Sequence, residues 1–157
     1  MSAAPLPEPL ALLPHRHDAV LLDEVTHAGD SRLAARLVVR PGTAFSDPSG
    51  NLPAWVGPEI MAQAVAALSG LRSLRSVGKP APIGLLLGVR SYESSAGEFR
   101  CGESLLVEVI ESSQDAQGWA VFDGRISRDG AVLASGTLTV LQPLDDSFLE
   151  RECARND

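Results

Sequence analysis

Trp55-Val-Gly-Pro-Glu-Ile-Met-Ala-Gln-Ala-Val-Ala-Ala-Leu-Ser-Gly-Leu-Arg-Ser-Leu74 is the stretch on which the reading of the chain turns. Ala, Leu and Met dominate it, all good helix formers, and no charge falls between Glu59 and Arg72. A helix apolar on nearly every side is one that the rest of the chain must bury. Glu59 stands out there, because an ionised carboxylate in apolar surroundings is costly unless paired, neutralised or hydrated. Gln63 lies four residues further on, so the two share one face and form the polar spot of the upper helix. Two roles fit Glu59: a carboxylate that complements the positive end of the helix macrodipole, or a functional acid. The helix is expected from about 54–57 to about 75, with Pro58 in the first turn, where a missing N–H is tolerated.

Working outward, the rest of the chain reads as strands. Residues 1–9 form a Pro-rich arm, Leu10–Pro14 a short apolar turn, and His15-Arg16-His17-Asp18 a polar cluster. Ala19–Val25 is expected to begin a strand that turns at Ala28-Gly29-Asp30, and Arg32–Arg40 is a second, alternating one. Pro41–Pro53 lacks periodicity and is expected as a loop. After the helix come strands at Ile83–Tyr92, Ser104–Glu111, Trp119–Ser127 and Ala131–Leu141. Arg128-Asp129-Gly130 is a hairpin signal between the last two, and 143–157 is a polar tail. The class is α+β, in one domain over 1–157 with its core at about 10–142. One buried helix interrupting six strands calls for a curved antiparallel sheet wrapped around it, the hotdog arrangement. A second subunit or sheet is expected to cover the remainder, which makes a dimer through the strand around 83–93 the natural state.

Composition sets limits. Hydrophobic residues at 45% and charged residues at 21% are globular values. A net charge of -7 argues against nucleic acid or an anionic membrane as main partner. No apolar run approaches the ~18 residues of a membrane span, and the Pro-rich start lacks the basic region of a signal peptide. Cys101 and Cys153 make neither a disulfide framework nor a metal site. Cytoplasmic location, no cofactor and no metal are the expectations. Arg72, Arg75 and Lys79 cluster past the helix, either as favourable charge near its C-terminus or as a contact for an acidic partner.

The residues also carry a family resemblance. Leu13-Pro-His-Arg-His-Asp-Ala-Val-Leu-Leu-Asp-Glu-Val25 resembles the opening of FabZ-type 3-hydroxyacyl-acyl carrier protein dehydratases. Leu52-Pro-Ala-Trp-Val-Gly-Pro-Glu-Ile-Met-Ala-Gln63 resembles their helix entry, and Phe99-Arg-Cys-Gly-Glu-Ser-Leu105 their strand entry. The aryl-polyene (ApeP-like) branch is the closer match, with Gly84-Leu-Leu-Leu-Gly-Val-Arg-Ser-Tyr-Glu93 added. The resemblance implies a hotdog dehydratase that gives trans-2-enoyl thioesters in fatty-acid or aryl polyene biosynthesis. It also implies an acyl carrier protein, with a phosphopantetheine-linked substrate, as partner. One departure matters: the loop histidine that serves those enzymes as base falls here on Ala44 or Phe45. Ala54 replaces the glycine whose N–H polarises the thioester carbonyl in the family.

Dehydrating such a thioester needs a base for the C2 proton, a donor for the thioester oxygen and an acid for the C3 hydroxyl. Glu59 suits the acid, and the helix start, with Ala54 and Gly57, suits the donor. The base should be a histidine. His15 falls in the family motif and is either that base or a residue that orients nearby backbone. His17, substrate-binding in this reading with Gln63, is the other choice. His27 reads as an exposed loop residue, and Asp18 or Asp23 as a group that orients the histidine. Met61, Leu85, Leu87 and Phe45 are candidates for an acyl tunnel. Three functions compete: a dehydratase using His15 and Glu59, a non-catalytic or half-catalytic subunit of a heterodimer with another hotdog chain, and a hotdog thioesterase.

Overall fold

The computed structural model describes residues 5–13, 17–79 and 84–141. In chain order the elements are α1 (Pro9–Leu12), β1 (Glu24–Ala28), β2 (Arg32–Val38), β3 (Leu52–Pro53), α2 (Gly57–Val77), β4 (Leu85–Ser94), β5 (Glu98–Phe99), β6 (Ser104–Gln114), β7 (Trp119–Arg128) and β8 (Ala131–Leu141). Six strands form one antiparallel sheet in the order β1-β2-β6-β7-β8-β4. The helix α2 carries the chain from one side of this sheet to its far edge, so β4 pairs with the last strand, β8. The expected curved sheet around one long helix is the observed hotdog architecture. The arm at residues 1–4 and the tail at 143–157 lie outside the described residues.

Alternation builds the core. Leu33, Ala35 and Leu37 of β2, Leu105, Val107 and Val109 of β6, and Ala120, Phe122 and Ile126 of β7 all point to the helix side and are buried. Against them α2 buries Ile60, Met61, Ala64, Val65, Ala67, Leu68 and Leu71. Met61 sits where the sheet makes room: a Cβ at Gly124 of β7 would come within 2.8 Å of its Sδ. Met61 is therefore a core residue on the sheet side of the helix. At the far end, Arg72 donates to the Asp30 carbonyl and to Glu111, 2.9 Å away, clamping the β1–β2 turn and β6 to the last turns of α2. Although α2 has 21 residues, no helix among the described residues is long and apolar enough to cross a membrane.

Two details differ from the expectations, and a third gives form to the bend that the glycines of the 83–92 strand suggest. The strand expected from Ala19 begins only at Glu24: the Val20 carbonyl and the Leu21 N–H are taken by Arg40 and Gln63 side chains, and backbone pairing with β2 starts at the Asp23 N–H, which donates to the Arg36 carbonyl. Leu52–Pro53, expected as loop, pairs with Glu98–Phe99 as the two-residue strands β3 and β5. The edge strand β4 carries two bulges, between Leu86 and Gly88 and between Arg90 and Glu93. The β7–β8 hairpin turns as expected, with Asp129 and Gly130 both at positive φ.

Gly124→Ala should destabilise the fold by about 1–3 kcal/mol through overpacking against Met61. In a Met61→Ala background the same substitution should cost much less. Urea midpoints of the four chains check this; an equal loss in both backgrounds would place the contact elsewhere.

Candidate active site at the helix start

The entry to α2 is held by backbone on one side and by β4 on the other. Pro53 is extended, and Ala54–Val56 make a single 3-10 turn before the α-helix begins. The Ala54 N–H donates to the Gly97 carbonyl at 3.1 Å, beside the β3–β5 pair. The Ala54 carbonyl accepts the Gly57 N–H and the Tyr92 hydroxyl, the latter at 2.5 Å. Both backbone N–H groups put forward for a thioester oxygen are thus engaged within the protein. Gly57 leaves the room for this arrangement: a Cβ there would lie 2.0 Å from the Tyr92 hydroxyl. Trp55, 69% exposed, projects from the same turn.

Glu59 lies in the first helical turn and is half-buried. Its Oε1 accepts a hydrogen bond from Gln63 Nε2 at 3.1 Å, the i, i+4 contact expected of the pair. Gln63 is fully buried, the one polar or charged side chain that is so among the described residues. Its Nε2 also donates to the Ala19 carbonyl at 2.7 Å, and its Oε1 accepts the Leu21 N–H at 2.9 Å. A backbone acceptor and a backbone donor on the two ends of the amide fix its orientation. Gln63 therefore binds the 19–21 segment and the Glu59 carboxylate together.

The same segment is held from the other side. Asp23 accepts the Val38 N–H at 2.6 Å and the Arg40 guanidinium at 2.7 Å, and Arg40 also donates to the Val20 carbonyl. Asp23 is thus committed to β2 and Arg40. The loop from 41 to 51 reaches this segment through the Ala44 N–H, which donates to the Asp18 carbonyl at 2.8 Å. Ala44 itself is exposed. Loop shape comes from its neighbours: Ser46 hydroxyl donates to the Arg40 carbonyl, and the Asp47 carboxylate accepts the N–H groups of Ser49 and Asn51. A continuous set of bonds thus runs from Ala44 through residues 18 and 19 to Gln63 and Glu59.

His17 opens a 3-10 turn, His17–Ala19; its side chain, and all of His15, lie outside the described residues, as does the Leu85 side chain. His27 is exposed, as expected, but on strand β1 rather than in a loop. Asp18 is exposed, Phe45 half-buried against the core, and Leu87 45% exposed. Tyr92 had no place among the expected site residues. Burial raises its pKa, an effect opposed by a hydrogen bond with Ser94. An aromatic residue in an edge strand gives no sign in sequence that a bulge will turn it onto the helix.

Comparison with known proteins agrees with this architecture. Residues 7–150 match the family model described as ApeP-like, ApeP dehydratase. The 3-hydroxyacyl-[acyl-carrier-protein] dehydratase FabZ of Tolumonas auensis is 30% identical over 139 residues, covering 82% of this chain and 88% of that protein. The FabZ of Aliivibrio fischeri is 32% identical over 135 residues, covering 81% and 85%. Among solved structures, the dehydratase heterocomplex ApeI:P from Xenorhabdus doucetiae superposes with a TM-score of 0.85 at 29% identity, over 93% of this chain and 97% of that one.

Replacing Gln63 by Leu keeps the volume roughly but strands the Leu21 N–H and the Ala19 carbonyl. On the order of 3 kcal/mol of stability should be lost, the sum for two buried unpaired groups. Chemical denaturation of the variant measures it, and a loss below ~1 kcal/mol would mean that water replaces the amide.

Proposed function

As the chain belongs to the ApeP-like dehydratase family, hotdog dehydratases of the FabZ type, we propose that it works on 3-hydroxyacyl thioesters delivered by an acyl carrier protein. The product is the trans-2-enoyl thioester and one water. The observation that carries this reading is the Glu59 carboxyl, half-buried in the first turn of α2 and held by the buried Gln63 amide. In the forward step a histidine takes the C2 proton, and the electron pair moves towards the thioester oxygen. The C3–O bond then breaks as Glu59 gives its proton to the departing hydroxyl. Gln63 contributes by fixing the rotation of the carboxyl, with its amide spent inside the protein.

The base has two sources. His15 comes two residues before His17 in sequence, and the His17–Ala19 turn is bonded to Gln63, the partner of Glu59, through the Ala19 carbonyl. A histidine of a second hotdog subunit is the other, favoured because Ala44 or Phe45 stands at the place where FabZ-type enzymes carry theirs. The partner edge in this reading is β4, the end strand of the sheet, where Leu86 and Leu87 stand 41% and 45% exposed. A strand of 10 residues that is paired on one side with β8 and carries apolar side chains along an outer edge is a template for pairing. Homodimer or heterodimer, the assembly joins through that edge.

Glu59→Gln should keep the fold and lower dehydration by ~10²-fold or more, since the amide can neither ionise nor donate a carboxyl proton. His15→Ala should lower it by a similar factor if His15 is the base, and should lower only the melting temperature if it orients backbone. Loss of one water from a 3-hydroxyacyl-carrier substrate, followed by mass spectrometry for the chain alone and beside a co-expressed hotdog subunit, reads both. Full activity in both variants would reduce this chain to a scaffold for its partner's site.

Leu86→Lys with Leu87→Lys should convert the assembly to monomer, because two charges on the edge oppose pairing. Sedimentation equilibrium reads the mass; an unchanged mass would move the interface away from β4.

A further inference from the structure

Tyr92 is the only tyrosine of the chain, and the chemistry above leaves it without a task. It stands on the edge strand where the ladder is broken: three steps from Arg90 to Glu93 answer two steps, Thr137 to Ser135, on β8. The extra residue puts Ser91 at a φ of 52°, a left-handed conformation that side-chain-bearing residues avoid. That bulge turns the Tyr92 ring off the edge and onto the helix. On one side a Cβ at Gly136 would lie 3.4 Å from the ring; on the other, Gly57 has no room for a Cβ at all. The hydroxyl ends on the Ala54 carbonyl, which already accepts the Gly57 N–H. Ring, bulge and two glycines thus form a fitted slot between the edge strand and the first turn of the helix that bears Glu59.

We propose that Tyr92 is a positioning residue, one that makes the placement of the α2 start, and through it of Glu59, depend on the conformation of the edge strand β4. Its role in catalysis rests on the reading of Glu59 as the acid. The geometry supports the dependence because the bond to Ala54 comes from the bulge itself, so β4 cannot straighten without releasing the helix entry. A second chain paired along β4 would hold the bulge in register and the slot closed. The pairing edge and the site are then one mechanical unit.

Tyrosinate absorbance reads this residue alone. In the wild-type chain the single tyrosine should ionise above its ordinary pKa of about 10, in the direction that its burial dictates. In Gly57→Ala, whose Cβ expels the hydroxyl, ionisation should fall back to the ordinary range. Hydrogen exchange then tests the linkage without any substrate. Tyr92→Phe should exchange several-fold faster over residues 54–60, with β6 and β7 unchanged; unchanged exchange over 54–60 would overturn the proposal. Where the assembly turns over substrate, kcat of Tyr92→Phe should fall by about 10-fold, the weight of one hydrogen bond. KM should stay within about twofold. Glu59→Gln with Tyr92→Phe should be no slower than Glu59→Gln alone. Additive losses in that double variant, or an unchanged kcat in the folded single one, also overturn it. If wild-type protein dehydrates nothing, the dehydratase reading fails, while exchange still decides whether Tyr92 sets the helix start.

Discussion

One buried amide organises this molecule. A helix apolar all round can be wrapped by a sheet in many registers, since burial of apolar surface has no direction of its own. Hydrogen bonds do have direction. The Gln63 amide, with a donor and an acceptor on backbone 42 and 44 residues away, admits one placement of the 19–21 segment on α2. Leaving either end unpaired in that surround is costly, so the segment, the helix and the Glu59 carboxylate are located together. Asp23 and Arg40 secure the same segment to β2.

Much of the architecture was legible because periodicity is a strong signal where elements are long. The uncharged run after Glu59 marked the helix, and strand patterning marked β7 and β8 to within a residue, whereas β2 ends at Val38, short of Arg40, and β6 runs past Glu111 to Gln114. What escaped was short or irregular. Two-residue strands such as β3 and β5 have no period to detect. Residues 20–22 are apolar like a strand, yet the Leu21 N–H and the Val20 carbonyl are bonded by Gln63 and Arg40 side chains, which local pattern cannot reveal. The bulges of β4 leave no trace beyond glycines and serines.

The candidate site divides along the same line. Glu59 and Gln63 were visible as neighbours because helical spacing is a local property. That Gln63 faces inward, with its whole amide committed to protein, depended on contacts distant in sequence. Ala54 and Gly57 stood out by their place at a helix entry, where N–H groups are commonly open to a ligand. The Gly97 carbonyl, just before β5, and the Ala54 carbonyl of the 3-10 turn instead supply internal acceptors for both. Tyr92 reaches the site only through a backbone distortion, the kind of feature a sequence pattern averages away.

The loop between β2 and β3 carries a different lesson. Its form comes from Ser46 and Asp47 and from the Ala44 main chain; the Ala44 side chain contributes nothing to it and faces solvent. Architecture and reactivity are therefore decoupled at that position. A lineage can exchange the side chain there in a single step, gaining or discarding a proton acceptor, without remaking the loop. A loop whose frame is set by other residues tolerates either kind of side chain at that place.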